Sequence, residues 1–338
     1  MQFRPYTLTT IASTGDRFTD FAPYVASIND AGVVAFQATL AGGHSGVFTG
    51  GGGPITDIAV TTSAACPVQR FTSHPDINRA GALTVYGTLD TGEQALLMFT
   101  DGHLAAAGGR DRFTTIGPLG PTMNEHGEVA FRGALRDGQA GIHLQRGAEA
   151  ITIATAGPGY RGFEGLPVVN NLGQLVFRAD LPDGRQGLFM HQQGQCSAIA
   201  TTGDDFTELA RFPIVNDHGT VAFAAVRKTG GPALFTATAG RLTCLVDAAA
   251  GFESFRGVLI NNAGPVAFYA TPAAGQIGIY TGPDPLHHRV VGVGDALLGA
   301  TVTDFALNPV SVNELGQLAI RVALSDGRQF ILRGDPGG

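Results

Sequence analysis

The chain has 338 residues, a formal net charge of −7 and 14% charged residues, where about 25% is usual for globular proteins. Together with 44% hydrophobic residues, this low charge excludes a disordered chain and implies that much of it is buried. The only strong basic pair is Arg227-Lys228, which excludes a phosphate-tracking surface for nucleic acid. The 49 glycines, about twice the usual share, favour many short strands joined by tight turns.

The N-terminal residues Met1–Tyr6 lack the apolar region of a signal peptide. No stretch approaches the ~18 apolar residues of a membrane span. We therefore expect a cytoplasmic protein without membrane contacts. Cys66, Cys196 and Cys244 form an odd and sparse set, which predicts reduced thiols that act as small apolar fillers of the core.

One sequence motif occurs seven times: an asparagine, a glycine three residues later, and then a short apolar run. The seven asparagines are Asn29, Asn78, Asn124, Asn170, Asn216, Asn261 and Asn313, with spacings of 49, 46, 46, 46, 45 and 52 residues. A period of this length indicates a repeat architecture. Because no such unit can bury a core alone, the repeats predict one closed domain over residues 1–338.

Each repeat predicts four strands. Strand A ends at the asparagine, and the Asn-x-x-Gly turn leads into strand B, since glycine accepts the positive φ of a hairpin turn. A second turn, often Asp-Gly, precedes strand C, and a third precedes strand D. The predicted B strands are 33–40, 82–89, 128–135, 174–181, 220–226, 265–271 and 317–324.

Only six D strands follow the seven C strands, and the missing one is found at the N-terminus. Residues 6–14 have the pattern of a D strand and match Ala198–Asp204 closely. We therefore expect this segment to complete the sheet formed by residues 308–333. The result is an all-β, seven-bladed β-propeller of four-stranded blades. A β-solenoid is disfavoured because its coils are shorter, and stacked sandwiches would not need seven equal units.

The chain resembles the bacterial tandem-repeat proteins named for the motif Asn-x-x-Gly-x-x-Ala-Phe. The full motif is present at Asn29–Phe36, Asn124–Phe131, Asn216–Phe223 and Asn261–Phe268. The other three copies depart from it at the Ala-Phe positions. The resemblance implies a propeller-like fold and no specific activity, because the motif belongs to turns and core.

No catalytic or cofactor signature is present, and we expect neither a cofactor nor a metal. The pair His287-His288 has no cysteine partner and no cluster of acidic residues near it in sequence, and adjacent strand residues point to opposite faces. Asp16, Asp204 and Asp295 each follow a glycine after strand D, so they are interpreted as turn-forming residues, with a distributed cation site as the alternative. His126 and His218 lie within Asn-x-x-Gly turns and are expected to be exposed.

The candidate site follows from broken symmetry, because positions that serve only the fold should repeat. Two to six residues before each asparagine the repeats disagree with one another. The candidates there are Tyr24, His74, Asp76, Glu164, Arg211, Phe212, Arg256 and Asn308. We expect them around a funnel on the face that carries the D-to-A connections. Two connections on that face, Thr61–Thr72 and Gly294–Asp304, are longer than the others.

These residues suggest metal-free acid/base catalysis on a small molecule, by a lyase, isomerase, cyclase or hydrolase. His74 and Glu164 would transfer protons, and Tyr24 would assist. Arg211 and Arg256 would hold an anionic group of the substrate. The remaining members, Asp76, Asn308 and Phe212, would complete the substrate pocket. The alternatives are a non-catalytic binding or interaction propeller and a purely structural repeat protein. We expect a monomer or weak oligomer.

Overall fold

Seven antiparallel sheets follow one another along the chain and form the blades of a β-propeller. The computed structural model describes residues 5–63 and 66–337. The first strand is β1 (Tyr6–Ser13). Blade 1 contains β2 (Phe18–Asp20), β3 (Ser27–Ile28), β4 (Val34–Leu40), β5 (Ser45–Gly50) and β6 (Thr56–Val60). Blade 2 contains β7 (Val68–Phe71), β8 (Asp76–Ile77), β9 (Leu83–Leu89), β10 (Gln94–Thr100) and β11 (His103–Ala106).

The next three blades repeat this order. Blade 3 contains β12 (Phe113–Ile116), β13 (Thr122–Met123), β14 (Val129–Leu135), β15 (Ala140–Arg146) and β16 (Glu149–Thr155), after a 3₁₀ turn at Arg110–Arg112. Blade 4 contains β17 (Gly162–Val169), β18 (Leu175–Asp180), β19 (Gln186–Gln192) and β20 (Gln195–Thr201). Blade 5 contains β21 (Phe206–Leu209), β22 (Ile214–Val215), β23 (Val221–Arg227), β24 (Gly231–Thr238) and β25 (Arg241–Asp247).

The last two blades close the ring. Blade 6 contains β26 (Phe252–Asn261), β27 (Gly264–Pro272), β28 (Gly278–Tyr280) and β29 (Arg289–Gly292), after a 3₁₀ turn at Ala248–Ala250. Blade 7 contains β30 (Ala296–Leu297), β31 (Ala300–Ala306), β32 (Leu318–Leu324) and β33 (Gln329–Pro336), with a 3₁₀ turn at Pro309–Ser311. Strand β1 pairs antiparallel with β33 in a register that runs from Tyr6 opposite Pro336 to Ser13 opposite Phe330. The predicted closure of the last blade by the N-terminal strand is therefore confirmed.

The innermost strand differs from the predicted single strand A in several blades. In blades 1, 2, 3 and 5 it is split into two short strands, whereas β17 and β26 run unbroken through β-bulges. The predicted long connection Gly294–Asp304 is wrong, because β30 and β31 form a hairpin there. In the other long connection, residues 64 and 65 lie outside the described residues, and β7 occupies its end.

The motif phenylalanine of strand B packs inside its own blade against an aromatic ring of strand C. The stacked pairs, with centroids 5.7 Å apart, are Phe36–Phe48, Phe177–Phe189, Phe223–Phe235 and Phe268–Tyr280. Blade 3 carries His143 instead, between Phe113 at 4.8 Å and Phe131 at 5.3 Å. Both ring nitrogens of His143 are buried and without a hydrogen-bond partner among the described residues. Burial lowers the pKa of His143 to about 4.

The repeated asparagines join the blades to one another at the turn end of the channel, here called the asparagine ring. In Asn170, Oδ1 accepts the backbone N–H groups of Leu172 at 3.0 Å and Gln174 at 2.9 Å, which fixes the turn. Its Nδ2 donates to the carbonyl oxygen of Asn216 in the next blade at 2.8 Å. In the described chain, six asparagines make this inter-blade bond: Asn29, Asn124, Asn170, Asn216, Asn261 and Asn313.

A glutamine at the start of strand C makes a second inter-blade bond at the opposite end of the blades. Gln94 Oε1 accepts the backbone N–H of Ile116 at 3.0 Å, and Gln186 Oε1 accepts that of Leu209 at 2.9 Å. Gln329 Oε1 accepts the N–H of Phe21 across the closure. At these three blade junctions, adjacent blades are therefore bonded through polar side chains near both ends as well as through their apolar faces.

The three cysteines are free, but the prediction that they fill the core is wrong. Cys196 and Cys244 are exposed, and Cys66 is half-buried. His126 and His218 are exposed in their turns, as predicted. The described residues contain no helix that is long and apolar enough to cross a membrane. They also contain no group of three or more His, Cys, Asp or Glu side chains placed to hold a metal ion.

Candidate functional site

A cleft of about 630 Å³ opens at the end of the ring opposite the Asn-x-x-Gly turns, where blades 4, 5 and 6 meet. It is positioned by the start of the innermost strand in each of these blades. Its charged lining consists of Arg161, Glu164, Arg178, Asp180, Glu208, Arg211 and Arg256. Phe212 and Phe255 supply apolar surface beside the charges. Four predicted residues thus share one cleft: Glu164, Arg211, Phe212 and Arg256.

Glu164 lies between two guanidinium groups. Its Oε2 is 2.9 Å from Arg178 Nη1 in the same blade and 3.0 Å from Arg211 Nε in the next blade. Arg178 is buried, and its Nη2 lies 3.4 Å from Asp180 Oδ1. The side chain of Arg211 is 68% exposed, so its guanidinium group reaches both Glu164 and the solvent. This network links blades 4 and 5 by charge.

Two further guanidinium groups of the cleft have no ion-pair partner among the described residues. The side chains of Arg161 and Arg256 are exposed and form no hydrogen bond or ion pair with a described residue. Arg178 Nε is buried and also has no hydrogen-bond partner among the described residues. Guanidinium groups without carboxylate partners favour anions with planar oxygen pairs. The cleft can therefore accept an anionic group of a ligand.

Gly165 makes the close approach of blades 4 and 5 possible. Its φ is +68°, in the left-handed region that favours glycine. A Cβ at this position would overlap the backbone carbonyl oxygen of Arg211. The residue lies in the bulge of β17, where the register to β18 shifts between Glu164 and Val168. The bulge thus sets both the direction of Glu164 and the distance to Arg211.

The sequence reasoning missed the arginines of strand B. The position eight residues after each motif asparagine lies within the apolar strand. Its occupants are Gln37, Tyr86, Arg132, Arg178, Ala224, Tyr269 and Arg321. Arg178 and Arg321 are almost fully buried there. An arginine in the middle of an otherwise apolar strand is the signal that identifies these residues, since arginine is rarely buried without a partner.

His74 and Tyr24, the other two predicted catalytic residues, do not line the cleft. His74 is buried against Gly120, where a Cβ would overlap its imidazole ring. Burial lowers the pKa of His74 to about 4, so the ring is neutral near pH 7. Tyr24 is half-buried, and burial raises the pKa of its phenol. Of the three residues predicted to transfer protons, Glu164 lines the cleft and His74 and Tyr24 do not.

Asp76 and Asn308 are placed apart from the cleft and bond to backbone. Asp76 lines a smaller cavity of about 200 Å³ at the asparagine ring. Its Oδ2 accepts the N–H of Met123 at 2.7 Å, and burial raises its pKa to about 7. Asn308 is buried, and its Oδ1 accepts the N–H of Val310 at 3.0 Å, which caps the 3₁₀ turn of blade 7.

Residues 5–147, less than half of the chain, match the model of a family of unknown function, DUF7453. This match covers the first two blades and blade 3 without its outer strand β16, and it carries no activity. No curated protein matches the chain.

Solved structures with a similar fold include enzymes and an isolated propeller domain. An oligogalacturonate lyase from Vibrio parahaemolyticus superposes with a TM-score of 0.60 at 10% identity, over 99% of this chain and 98% of that chain. The β-propeller domain of the Trilobed protease from Pyrococcus furiosus gives 0.57 at 12% identity, over 87% and 100%. A puromycin-hydrolyzing peptidase from Mycobacterium tuberculosis gives 0.55 at 12% identity, over 99% of this chain and 56% of that chain. At these identities the similarity shows the propeller fold alone.

Proposed function

We propose that the chain binds a small carboxylate-bearing molecule in the cleft between blades 4, 5 and 6. One observation carries this proposal: the cleft holds four guanidinium groups, and those of Arg161 and Arg256 form no hydrogen bond or ion pair with a described residue. The lining has four arginines against the three carboxylates of Glu164, Asp180 and Glu208, a formal charge of +1, whereas the whole chain carries −7. Bidentate bonds from arginine to a carboxylate are strong and directional.

The size and lining of the cleft set the class of ligand. Its volume of about 630 Å³ lies within the range of small-molecule sites, roughly 300–1,000 Å³. Phe212 and Phe255 can cover an apolar face or a sugar ring while the arginines hold the acid. An organic acid or an acidic sugar fits this combination better than a large, flat protein partner.

The binding test is isothermal titration calorimetry with three probes: trigalacturonate, citrate and the neutral sugar maltotriose. We expect at least one of the two acids to bind and maltotriose not to bind. The double substitution Arg211→Ala with Arg256→Ala should weaken binding by about a hundredfold, at about tenfold for each charged bond lost. Arg241→Ala is the matched control, because Arg241 is exposed on the outer strand β25 and does not line the cleft. Equal binding by the double variant would contradict the proposal.

A second candidate function is catalysis of an elimination, favoured by the position of Glu164 between Arg178 and Arg211. In this reaction the Glu164 carboxylate would take the proton α to the ligand's carboxylate. The electron pair of that C–H bond would form a C=C bond as the β substituent leaves. The arginines would stabilise the negative charge that develops on the ligand's carboxylate.

The two functions are separated by Glu164→Gln. An elimination gives an α,β-unsaturated acid, which is followed by its ultraviolet absorbance with trigalacturonate as the probe. If the protein is an enzyme, the variant should lose turnover by about 10²–10⁴-fold and still bind the probe. Binding without any turnover by the wild-type protein leaves the binding function alone.

A further inference from the structure

Arg132 reaches from blade 3 to the segment of blade 4 that carries Glu164. Its Nη1 donates to the carbonyl oxygen of Gly165 at 3.3 Å, and its Nη2 donates to the carbonyl oxygen of Phe163. The two acceptors are the residues on either side of Glu164. One planar guanidinium group therefore bonds both flanking carbonyls of the glutamate, which a single-point donor cannot do in the same geometry.

The location of this contact is structurally special. In the register to β18, Glu164 lies opposite Arg178 and Val168 lies opposite Val176, and the bulge leaves residues 165–167 out of regular pairing. The backbone between these two pairs therefore depends on other partners. Blades 1, 2, 3 and 5 split their innermost strand into two short strands. In blade 4 the strand continues through the bulge, and Arg132 supplies two of its hydrogen bonds.

We propose that Arg132 is a positioning residue for the cleft: it fixes the β17 bulge and thereby holds Glu164 between Arg178 and Arg211. This inference rests on the proposed function for its biological meaning. Arg132 bonds the carbonyl groups of Phe163 and Gly165, and Glu164 between them pairs with Arg178 and Arg211. Arg132 does not line the cleft, so it would act through Glu164 and not on the ligand.

Arg321 provides a matched control. It occupies the same position of the repeat in blade 7, is buried, and has its Nη2 2.7 Å from Asp304 Oδ2. Arg132→Met and Arg321→Met each remove a guanidinium group from strand B of one blade. A general loss of stability predicts the same consequences for the cleft from both substitutions, whereas a positioning role predicts a difference.

The test measures the rate at which phenylglyoxal modifies Arg211, followed by mass spectrometry of the full-length protein after digestion. This readout needs no ligand. We expect Arg132→Met to raise the Arg211 rate about fivefold, because the released Glu164 no longer pairs with it, while Arg321→Met leaves it unchanged. Arg132→Lys keeps the charge but loses the planar pair of N–H donors, so its Arg211 modification rate should lie between those of the wild type and Arg132→Met. Equal Arg211 rates in all the variants and the wild type would overturn the inference.

Binding of trigalacturonate and citrate to the same variants separates this inference from the proposed function. If the wild type binds neither acid, the proposed function fails, and the labelling rate still decides the role of Arg132. If the wild type binds, Arg132→Met should weaken binding at least tenfold and Arg321→Met less than twofold. Binding that is unaffected by Arg132→Met would also overturn the inference.

Discussion

The two ends of the propeller use polar side chains in opposite ways. At the asparagine ring, equivalent residues of different blades make equivalent hydrogen bonds. Two backbone N–H groups of the same turn donate to the side-chain oxygen in five blades, at Asn29, Asn124, Asn170, Asn216 and Asn313. At the cleft end, the residues differ from blade to blade, and the side chains of Arg161 and Arg256 form no hydrogen bond or ion pair with a described residue. A side chain whose hydrogen-bond donors and acceptors are all used within the scaffold has none available for a ligand. Sevenfold repetition therefore marks the scaffold, and its loss marks the candidate site.

The largest expected effect comes from the repeated end. Asn170→Ala removes the bonds to the N–H groups of Leu172 and Gln174, to the carbonyl of Asn216 and to Gln174 Oε1. At roughly 1 kcal/mol for each bond, the free energy of unfolding should fall by about 4 kcal/mol. Urea denaturation measures this. Leu172→Ala in the same turn is the control. Because Leu172 is 67% exposed, this substitution should leave the free energy of unfolding nearly unchanged. Equal losses would show that the turn and not the asparagine carries the stability.

The asparagine ring and the blades were predictable from the sequence because they repeat. The period, the turn glycines and the N-terminal strand each follow from comparing one copy with another. The cleft was only partly predictable, since non-repetition identified Glu164, Arg211 and Arg256 without showing which of the candidates meet in space. Burial separated them: His74 points into the packing against Gly120, and that contact joins residues 46 positions apart.

A second effect at the repeated end depends on pH. Burial raises the pKa of Asp76 from 3.8 to about 7. Its stabilising contribution is fully present below pH 3.8 and is lost as the pH rises through 7, by about 4 kcal/mol. Asp76→Thr introduces the residue type that blade 3 carries at this position, Thr122, and should remove this loss. Urea unfolding at pH 5 and pH 8 should show about 3 kcal/mol of this loss in the wild type, because the rest is already lost between pH 3.8 and pH 5. A variant with the same pH dependence as the wild type would show that Asp76 is ionised in the folded protein.

His143 breaks the repetition inside a blade, and not at the cleft. Its pKa falls from 6.5 to about 4, so the unfolded chain takes up a proton before the folded one as the pH falls. The stability is complete above pH 6.5 and decreases by about 3 kcal/mol towards pH 4. His143→Phe restores the ring found at Phe48 and should remove this part of the acid sensitivity. Thermal unfolding from pH 7 to pH 4 tests this, with His126→Phe, in an exposed turn, as the control.

The smallest expected effect concerns two glutamines at the same position of the repeat, Gln94 and Gln186, of which one serves only the scaffold and the other also lines the cleft. Gln94→Ala and Gln186→Ala each remove one acceptor, for the N–H of Ile116 and of Leu209, and should each lower the free energy of unfolding by about 1 kcal/mol. Only Gln186 also lines the cleft. Its loss should therefore change the affinity for a carboxylate probe, while the loss of Gln94 should not. Calorimetric titration alongside urea unfolding gives both quantities for each variant. Equal affinities in the two variants would mean that the cleft tolerates movement of its wall, and that the arginines alone determine binding.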